Sequence, residues 1–375
     1  MKAKELSEQL LKNHNIILRG APGTGKTHLA HEIAEILTGV PREELSESDQ
    51  FEMVQFHPSY DYTDFVEGLR PITGNNENGQ IGFELKEGIF QAFCKKSRSK
   101  TLKGTTKNAD EIWNEFISNL GDDPIEINNY SFKPNSVGNI TYIVPGGSTA
   151  SLTLDNVRYY LEHQKWGSKN YHSTYKQPIF DKYLKDKIGT PEFVENDKKY
   201  IFIIDEINRG EISKIFGELF FSIDPGYRGK DGKVKTQYSS MKDEEDQWFY
   251  IPENVYIIGT MNDIDRSVDT FDFAMRRRFT FIEITAEDSQ KAMLNNQNTM
   301  GRMNRLNKAI LETGLTTDYQ IGASNFLSLE NQRLTVNELW KYKLEPLLKD
   351  YYRGERDATS KLEKLKLAYD GKEND

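Results

Sequence analysis

Cysteine is nearly absent from this chain: Cys94 stands alone among 375 residues. A single thiol excludes intramolecular disulfides and suits a reducing compartment. Its neighbours Ile89, Phe90, Ala92 and Phe93 predict a buried helix position and not a reactive thiol. Histidine is sparse as well, with six scattered residues and no Cys/His grouping for zinc. His28 and His31 share a helical stretch but lack a third ligand. No apolar run approaches the ~20 residues of a membrane span, and the N-terminus, with Lys2, Lys4 and Glu5, lacks the apolar core of a signal peptide. These absences predict a cytoplasmic protein. Positive charge is in deficit too: 49 Lys and Arg against 58 Asp and Glu leave a net charge of -9. A surface that is basic overall is excluded, so nucleic acid would have to meet a local patch or another subunit. There is no internal repeat and no Ser/His/Asp arrangement.

What is present is a phosphate loop. Gly20-Ala21-Pro22-Gly23-Thr24-Gly25-Lys26-Thr27 matches G-x-x-x-x-G-K-[ST] at every fixed position. The apolar run Asn15–Arg19 before it predicts a buried strand. Thr27–Leu37 after it predicts a helix with Leu29, Ala30, Ile33, Ala34 and Leu37 on one face. Glycines let backbone N–H groups wrap phosphates, and the helix N-terminus adds partial positive charge. Lys26 would reach the terminal phosphates and Thr27 would bind magnesium. Gly20 through Thr27, with His28 next to them, form the candidate nucleotide-contacting stretch.

Hydrophobic content of 37% with 29% charged residues describes a soluble chain, long enough for two or three domains. Five apolar runs predict a parallel sheet: Asn15–Arg19, Phe51–Phe56, Tyr200–Asp205, Asn254–Thr260 and Phe279–Ile284. Glu211–Ile223 predicts a helix with Ile212, Ile215, Phe216, Leu219 and Phe220 on one stripe. Strands alternating with helices imply a doubly wound α/β core. Residues 98–197 break the spacing. They hold a helix candidate at Asp110–Leu120 and a strand pair around Ile140–Val144 and Ser151–Leu154, joined by Pro145-Gly146-Gly147. Trp113, Trp166 and many tyrosines make the stretch too aromatic for disorder and too long for a loop, so it reads as an inserted small α+β domain. The predicted layout is a core over 1–97 and 198–285, the insertion, a helical lid over 286–370 and a frayed tail at 371–375. Helices are expected at Ser289–Gln297, Met300–Thr313 and Val336–Tyr352.

Ile201-Phe202-Ile203-Ile204-Asp205-Glu206 is an apolar strand ending in two acids. Downstream of a phosphate loop, the first acid holds the magnesium shell and the second polarises the attacking water. Asp205 and Glu206 fit those roles, at the carboxyl end of a strand where ligand sites gather. The next strand ends Gly259-Thr260-Met261-Asn262, where Asn262 could touch both the terminal phosphate and the water. A plain turn former is the simpler alternative. Ala274-Met275-Arg276-Arg277-Arg278-Phe279 places three arginines before a strand. A solvated rim is one reading; the other is an arginine finger for a neighbouring subunit's nucleotide, which requires an oligomer.

Together these motifs resemble an AAA+ ATPase core, and their wording resembles the McrB family, the GTP-hydrolysing motor subunits of modified-cytosine restriction systems. Asp205-Glu206-Ile207-Asn208-Arg209-Gly210 resembles its extended Walker B. Met261-Asn262-Asp263-Ile264-Asp265-Arg266-Ser267 resembles its signature. Phe56–Tyr62 with Phe65–Pro71 resembles the segment after its second strand, and Gln320–Phe326 is a looser match to its lid motif, where an aromatic residue usually stands at Asn325. The resemblance implies a five-stranded parallel sheet, Asn262 as sensor, Asp265 and Arg266 in the signature network, and Asn208 positioning water beside Glu206. It implies Arg277 as the finger acting in trans, with Arg278 beside it. It also implies Mg2+, GTP or ATP as substrate, a homo-hexameric ring and a McrC-like nuclease partner. DNA would be met through partners or a local basic patch.

Two features depart from that pattern. Only about a dozen residues precede the first strand, so an N-terminal reader of modified DNA is expected to be missing, and the 98–197 insertion is foreign to the family pattern. Two basic stretches remain open between a solvated face and phosphate or pore contact: Lys95, Lys96, Arg98, Lys100 and Lys103, and a hairpin over Tyr227–Lys235 turning at Lys230-Asp231-Gly232. Glu84-Leu85-Lys86 with Asp64 resembles half of a nuclease site, although strand pairing explains it better. A MoxR-like remodeller of a protein partner and a nucleotide-switched assembly module are the rival readings.

Overall fold

Ile16, Ile17 and Leu18 are all fully buried, as an unbroken apolar run between two helical layers demands. They belong to an interior strand of the main sheet in the computed structural model, which describes residues 2–71, 82–98, 101–103, 109–120, 124–127, 130–135, 138–143, 149–163, 173–184, 192–194, 197–242, 247–264 and 273–372. Five strands form the main sheet: β1 (Asn15–Gly20), β2 (Phe51–Gln55), β3 (Tyr200–Asp205), β4 (Val255–Asn262) and β5 (Thr280–Glu283). Their order is β5-β1-β4-β3-β2, and every neighbouring pair is parallel. The sequence places all five, but β4 runs on past Thr260 and so carries Asn262 within the strand.

Successive side chains point to opposite faces of the sheet. Ile17, Phe202, Ile204 and Ile257 join Phe65, Phe90, Phe93, Cys94 and Phe216 in one core. Ile16, Leu18, Ile201, Ile203 and Ile258 join Leu6, Leu10, Ala30 and Ile33 in the other. Cys94 is buried in the helix Ile89–Ser97, as its neighbours predicted.

Two expectations fail locally. The single helix over Glu211–Ile223 is two short ones, Ile212–Phe216 and Leu219–Ser222. Gly217 breaks it at φ +50, a conformation other residues rarely adopt, and a Cβ there would come within 2.8 Å of the Tyr62 ring. The basic hairpin over Tyr227–Lys235 is also absent. Two 3-10 turns, Pro225–Tyr227 and Gly229–Gly232, lead into Val234–Lys235, which pairs antiparallel with Trp248–Phe249. Arg228 leaves the basic face altogether and is only 5% exposed.

The chain divides into two compact units, one of residues 1–97 with 198–375 and one of residues 98–197. In the second, Ile125–Ile127, Tyr130–Pro134, Ile140–Ile143 and Thr149–Leu152 form an antiparallel meander. Helices Ala109–Leu120, Leu154–His163 and Ser173–Ile179 accompany it, and Trp113, Phe116, Phe132, Tyr142 and Phe180 share its core. Pro145-Gly146-Gly147, Trp166 and Lys100 lie outside the described residues.

The C-terminal part of the first unit is helical and has its own core, with Leu306, Ile310, Phe326, Leu339, Leu348 and Tyr369. Its helices include Ala286–Met293, opened by a Thr285/Asp288 capping box, Gln297–Glu312 and Ala358–Asp370. The helix expected over Val336–Tyr352 is present but widens into a π-type turn at Trp340–Leu344. Of the expected frayed tail, residues 373–375 lie outside the described residues. Among the described residues no helix is long and apolar enough to cross a membrane.

Candidate active site

The loop between β1 and the helix Lys26–Thr38 turns through Gly23 at φ +79 and Gly25 at φ +81, left-handed positions that glycine takes without a Cβ clash. Lys26 is buried and folds back into the loop. Its Nζ donates to the Gly20 carbonyl at 3.0 Å, the Ala21 carbonyl at 2.9 Å and Asn262 Oδ1 at 2.9 Å. Burial pushes its pKa down to about 8, against the pull of Glu206, Asp263 and Asp205. An anion placed among these donors would relieve that burial cost. His28 sets its exposed ring against Glu32 at 3.3 Å, leaving its first-turn amide as the group able to serve a phosphate.

The two acids at the end of β3 have separate partners. Asp205 Oδ1 accepts from the hydroxyls of Thr27 at 2.8 Å and Thr260 at 2.6 Å. Glu206 sits at φ +52, strained for a residue with a Cβ. Its Oε1 accepts from Asn262 Nδ2 at 2.7 Å, and Arg209 lies 3.2 Å from Oε2. The Glu206 amide donates to Thr260 Oγ1 at 3.2 Å, so one threonine orients both acids. Nothing in the sequence marked Thr260, which reads as another polar strand residue. Asn208 is 5% exposed; its Nδ2 donates to the Asn262 carbonyl at 3.4 Å. Its Oδ1 is buried without a hydrogen-bond partner among the described residues. Such an orphan acceptor beside Glu206 suits a small donor such as water.

The oxygen donors fit magnesium: one carboxylate and a hydroxyl beside the phosphate loop are the hard, sparse set that Mg2+ takes when phosphates and water complete its shell. Thr27 and Asp205 would hold the ion there. Asp265 and Arg266 lie outside the described residues. Their neighbour Asp263 is described: burial pushes its carboxyl up, and Arg19 Nε stands 3.9 Å away.

The lid segment 320–326 touches the phosphate loop directly. The amides of Gly322 and Ser324 donate to the carbonyls of Pro22 and Gly23, both at 3.0 Å. A Cβ on Gly322 would fall 2.1 Å from the Gly23 carbonyl carbon. Asn307 clamps the segment, accepting from the Ile321 amide at 2.7 Å and donating to its carbonyl at 3.0 Å. The loose motif match located this segment, but nothing in it pointed to Asn307.

The three arginines part company. Arg276 stacks on Phe281 at 5.9 Å, and Arg278 is buried with its guanidinium 4.2 Å from the centre of Phe220. Arg277 is exposed, as is Arg276, but no ring contact holds Arg277 among the described residues. Arg278 therefore differs from the expectation of a paired finger, because its side chain packs inward. Since β5 runs parallel to β1, residues before β5 lie at the edge of the sheet opposite the phosphate loop. A six-residue strand spans roughly 20 Å, so Arg277 is remote from its own chain's loop.

The nuclease-like triplet does not assemble. Arg70 lies 2.5 Å from Asp64, Lys86 lies 3.0 Å from Glu84, and Phe83–Glu87 pairs with Glu67–Pro71. In the first basic run, Lys95 pairs with Glu87 and Lys96 stands 3.5 Å from Asp49, which favours a solvated face.

Comparison with known proteins agrees with this geometry. Residues 15–135 and 150–279 match the AAA domain of the dynein-related subfamily, and residues 299–360 match the McrB alpha-helical lid domain. The Type IV methyl-directed restriction enzyme EcoKMcrB subunit of Escherichia coli (strain K12) is 30% identical over 363 residues, covering 92% of this chain and 55% of that one. The Type II restriction enzyme BsuMI component YdiS of Bacillus subtilis (strain 168) is 31% identical over 100 residues, 25% of this chain and 29% of that one. This chain thus spans about half the length of the first relative and less of the second. With the AAA match across the core and the McrB lid behind it, the chain belongs to the AAA family and is an AAA+ protein of the McrB type.

Proposed function

We propose that this chain hydrolyses a nucleoside triphosphate, GTP or ATP, as the motor subunit of a restriction complex that acts on DNA with a separate, McrC-like nuclease subunit. The observation that carries the hydrolytic part is the junction at Asn262, whose amide touches Lys26 at one end and Glu206 at the other. A γ-phosphate drawn to Lys26 would sit beside the carboxylate that activates water. Asn208 would hold that water through its unpaired Oδ1, and Thr27 with Asp205 would hold Mg2+, which offsets phosphate charge. The reaction is phosphoryl transfer to water.

Arg277 completes the site from the next subunit of a ring, hexameric by family resemblance. Its exposure at the far edge of the sheet supports a role in trans, because it is remote from the loop of its own chain. The restriction role leans on the two relatives, both restriction-enzyme components, and GTP is the nucleotide the family resemblance favours.

Steady-state hydrolysis of GTP and of ATP, measured against protein concentration, tests the reading. The expected result is turnover whose rate per chain rises on assembly and which Glu206→Gln abolishes. Turnover indifferent to Glu206→Gln would overturn the assignment of the water-activating acid. ATP preference without any response to a nuclease partner would favour a general remodeller.

A further inference from the structure

Asn15 opens β1 and is completely buried. Its Nδ2 donates to two main-chain carbonyls, Ile223 at 2.7 Å and Arg278 at 2.9 Å. Its Oδ1 accepts from Nη2 of Arg228, itself a buried residue. A guanidinium has donors only, so Arg228 fixes which end of the amide faces it and thereby aims Nδ2 at the two carbonyls. Burial pushes the Arg228 pKa down to about 10, and its Nε and Nη1 have no hydrogen-bond partner among the described residues. An arginine this deep is a costly way to orient one amide.

The carbonyl that Asn15 holds belongs to the arginine segment. Arg278 is fixed on one side by this main-chain bond and on the other by its stack on Phe220. Arg276 is held over Phe281. Between two anchored neighbours, Arg277 points outward. We propose that Asn15, oriented by Arg228, is the positioning residue for the arginine that serves the neighbouring subunit's nucleotide. This rests on the reading of Arg277 as a finger in trans. The same strand carries Asn15 at one end and the phosphate loop at the other, so the finger is referenced to the strand that binds its own chain's nucleotide. A displacement of about 1 Å at a group that must meet a transferring phosphoryl is enough to cost on the order of 100-fold in rate.

Asn15→Asp separates positioning from folding. The carboxylate still accepts from Arg228 and gives that cation a charge partner. It loses both donors and sets an oxygen against the carbonyls of Ile223 and Arg278, which releases the arginine segment. The expected result is hydrolysis about 10- to 100-fold lower, with nucleotide affinity within about threefold of the parent, since binding does not use the finger. Mixing then locates the defect. Glu206→Gln chains cannot activate water but carry an intact Arg277, so adding them to Asn15→Asp chains should restore turnover several-fold. Arg277→Ala, mixed in the same way, is the reference for a lost finger. Parent-like turnover by Asn15→Asp overturns the proposal. So does a loss of nucleotide binding, or a loss of turnover that Glu206→Gln chains fail to rescue while they rescue Arg277→Ala; either outcome puts the damage in the chain's own site or in its folding. Failure to rescue Arg277→Ala as well overturns the finger in trans, and the proposal with it.

Discussion

Lys26 Nζ lies 2.9 Å from Asn262 Oδ1, and the other end of the same amide lies 2.7 Å from Glu206 Oε1. One side chain therefore spans Lys26, the cation proposed to meet phosphate, and Glu206, the acid proposed to activate water. Neither contact alone needs an amide, but a group that accepts at one end and donates at the other does. Asn262→Ala should lower the hydrolysis rate by roughly 100-fold, the scale for losing one preorganised polar contact at a reacting centre. Nucleotide affinity should change much less, because the loop amides and Lys26 remain. Parallel measurement of kcat and Kd checks the split; an equal loss in both would mean that Asn262 only supports binding.

Thr260 orients both acids through one hydroxyl, which Asp205 accepts at 2.6 Å and the Glu206 amide donates to at 3.2 Å. Thr260→Val keeps the shape and removes the hydroxyl. Asp205 retains Thr27 as a partner, so the expected outcome is about a tenfold fall in turnover, in line with the loss of one charge-assisted bond. The dependence on Mg2+ should shift to higher concentration, because Asp205 loses part of its alignment. Thr260→Ser should recover most of the rate, and a rate for Thr260→Val equal to the parent would remove Thr260 from the machinery.

The sequence disclosed those parts of the site in which chemistry fixes neighbouring residues. A phosphate loop needs its glycines, lysine and threonine in one short run, and a buried parallel strand needs consecutive apolar residues, so β1 and β3 were both legible. The carboxyl-terminal position of Asp205 and Glu206 followed from the same logic. Thr260, Asn307 and the Asn15–Arg228 pair were not legible, because each acts across the sheet or lid through partners distant in the chain and none stands in a telling local pattern. Gly217 was missed for a related reason. The apolar stripe through Ile212, Ile215, Phe216 and Leu219 is genuine, but the Tyr62 ring that occupies the space beside Gly217 comes from far upstream. Arg228 looked like one more cation in a basic stretch, but packing buries it against Asn15 at the start of β1.

Glu67 supplies a pH test away from the nucleotide. It is fully buried, ion-paired with Lys242, and accepts from the Tyr238 amide and Gln91 Nε2, both at 3.1 Å. Burial pushes its carboxyl up, but the bonds from Lys242, Thr236 and the Tyr238 amide outweigh it and hold the group below its ordinary 4.5. The unfolded chain then binds the proton more readily than the folded one. Glu67 thus stabilises the fold fully above that ordinary value, and the contribution fades as pH falls through the lowered one. Glu67→Gln leaves Lys242 largely buried without its counter-charge, which costs roughly 3–5 kcal/mol at neutral pH. Denaturant unfolding of parent and variant should show that gap near pH ~7 and a narrower one near pH ~3. A gap independent of pH would mean that the carboxylate charge contributes nothing.

Gly322 reports on the lid. Its backbone, at φ -75, is open to any residue, so its lack of a side chain matters for space alone. A Cβ would stand 2.1 Å from the Gly23 carbonyl carbon, 2.3 Å from its oxygen and 2.3 Å from the Thr24 nitrogen. All three are main-chain atoms of the phosphate loop, and none can swing aside as a flexible side chain could. Gly322→Ala must therefore lift the lid segment, distort the loop, or both. Lifting would break the bonds from the Gly322 and Ser324 amides to Pro22 and Gly23. Distorting the loop would misplace the amides that wrap phosphate. Either route predicts nucleotide binding weaker by about tenfold or more, on the scale of one or two lost hydrogen bonds. Asn325→Ala shortens a side chain over Gly23 without adding an atom, so it should leave binding closer to the parent. Titration of a fluorescent nucleotide into both variants tests the pair. Unchanged affinity in Gly322→Ala would mean that the lid does not press on the phosphate loop in solution.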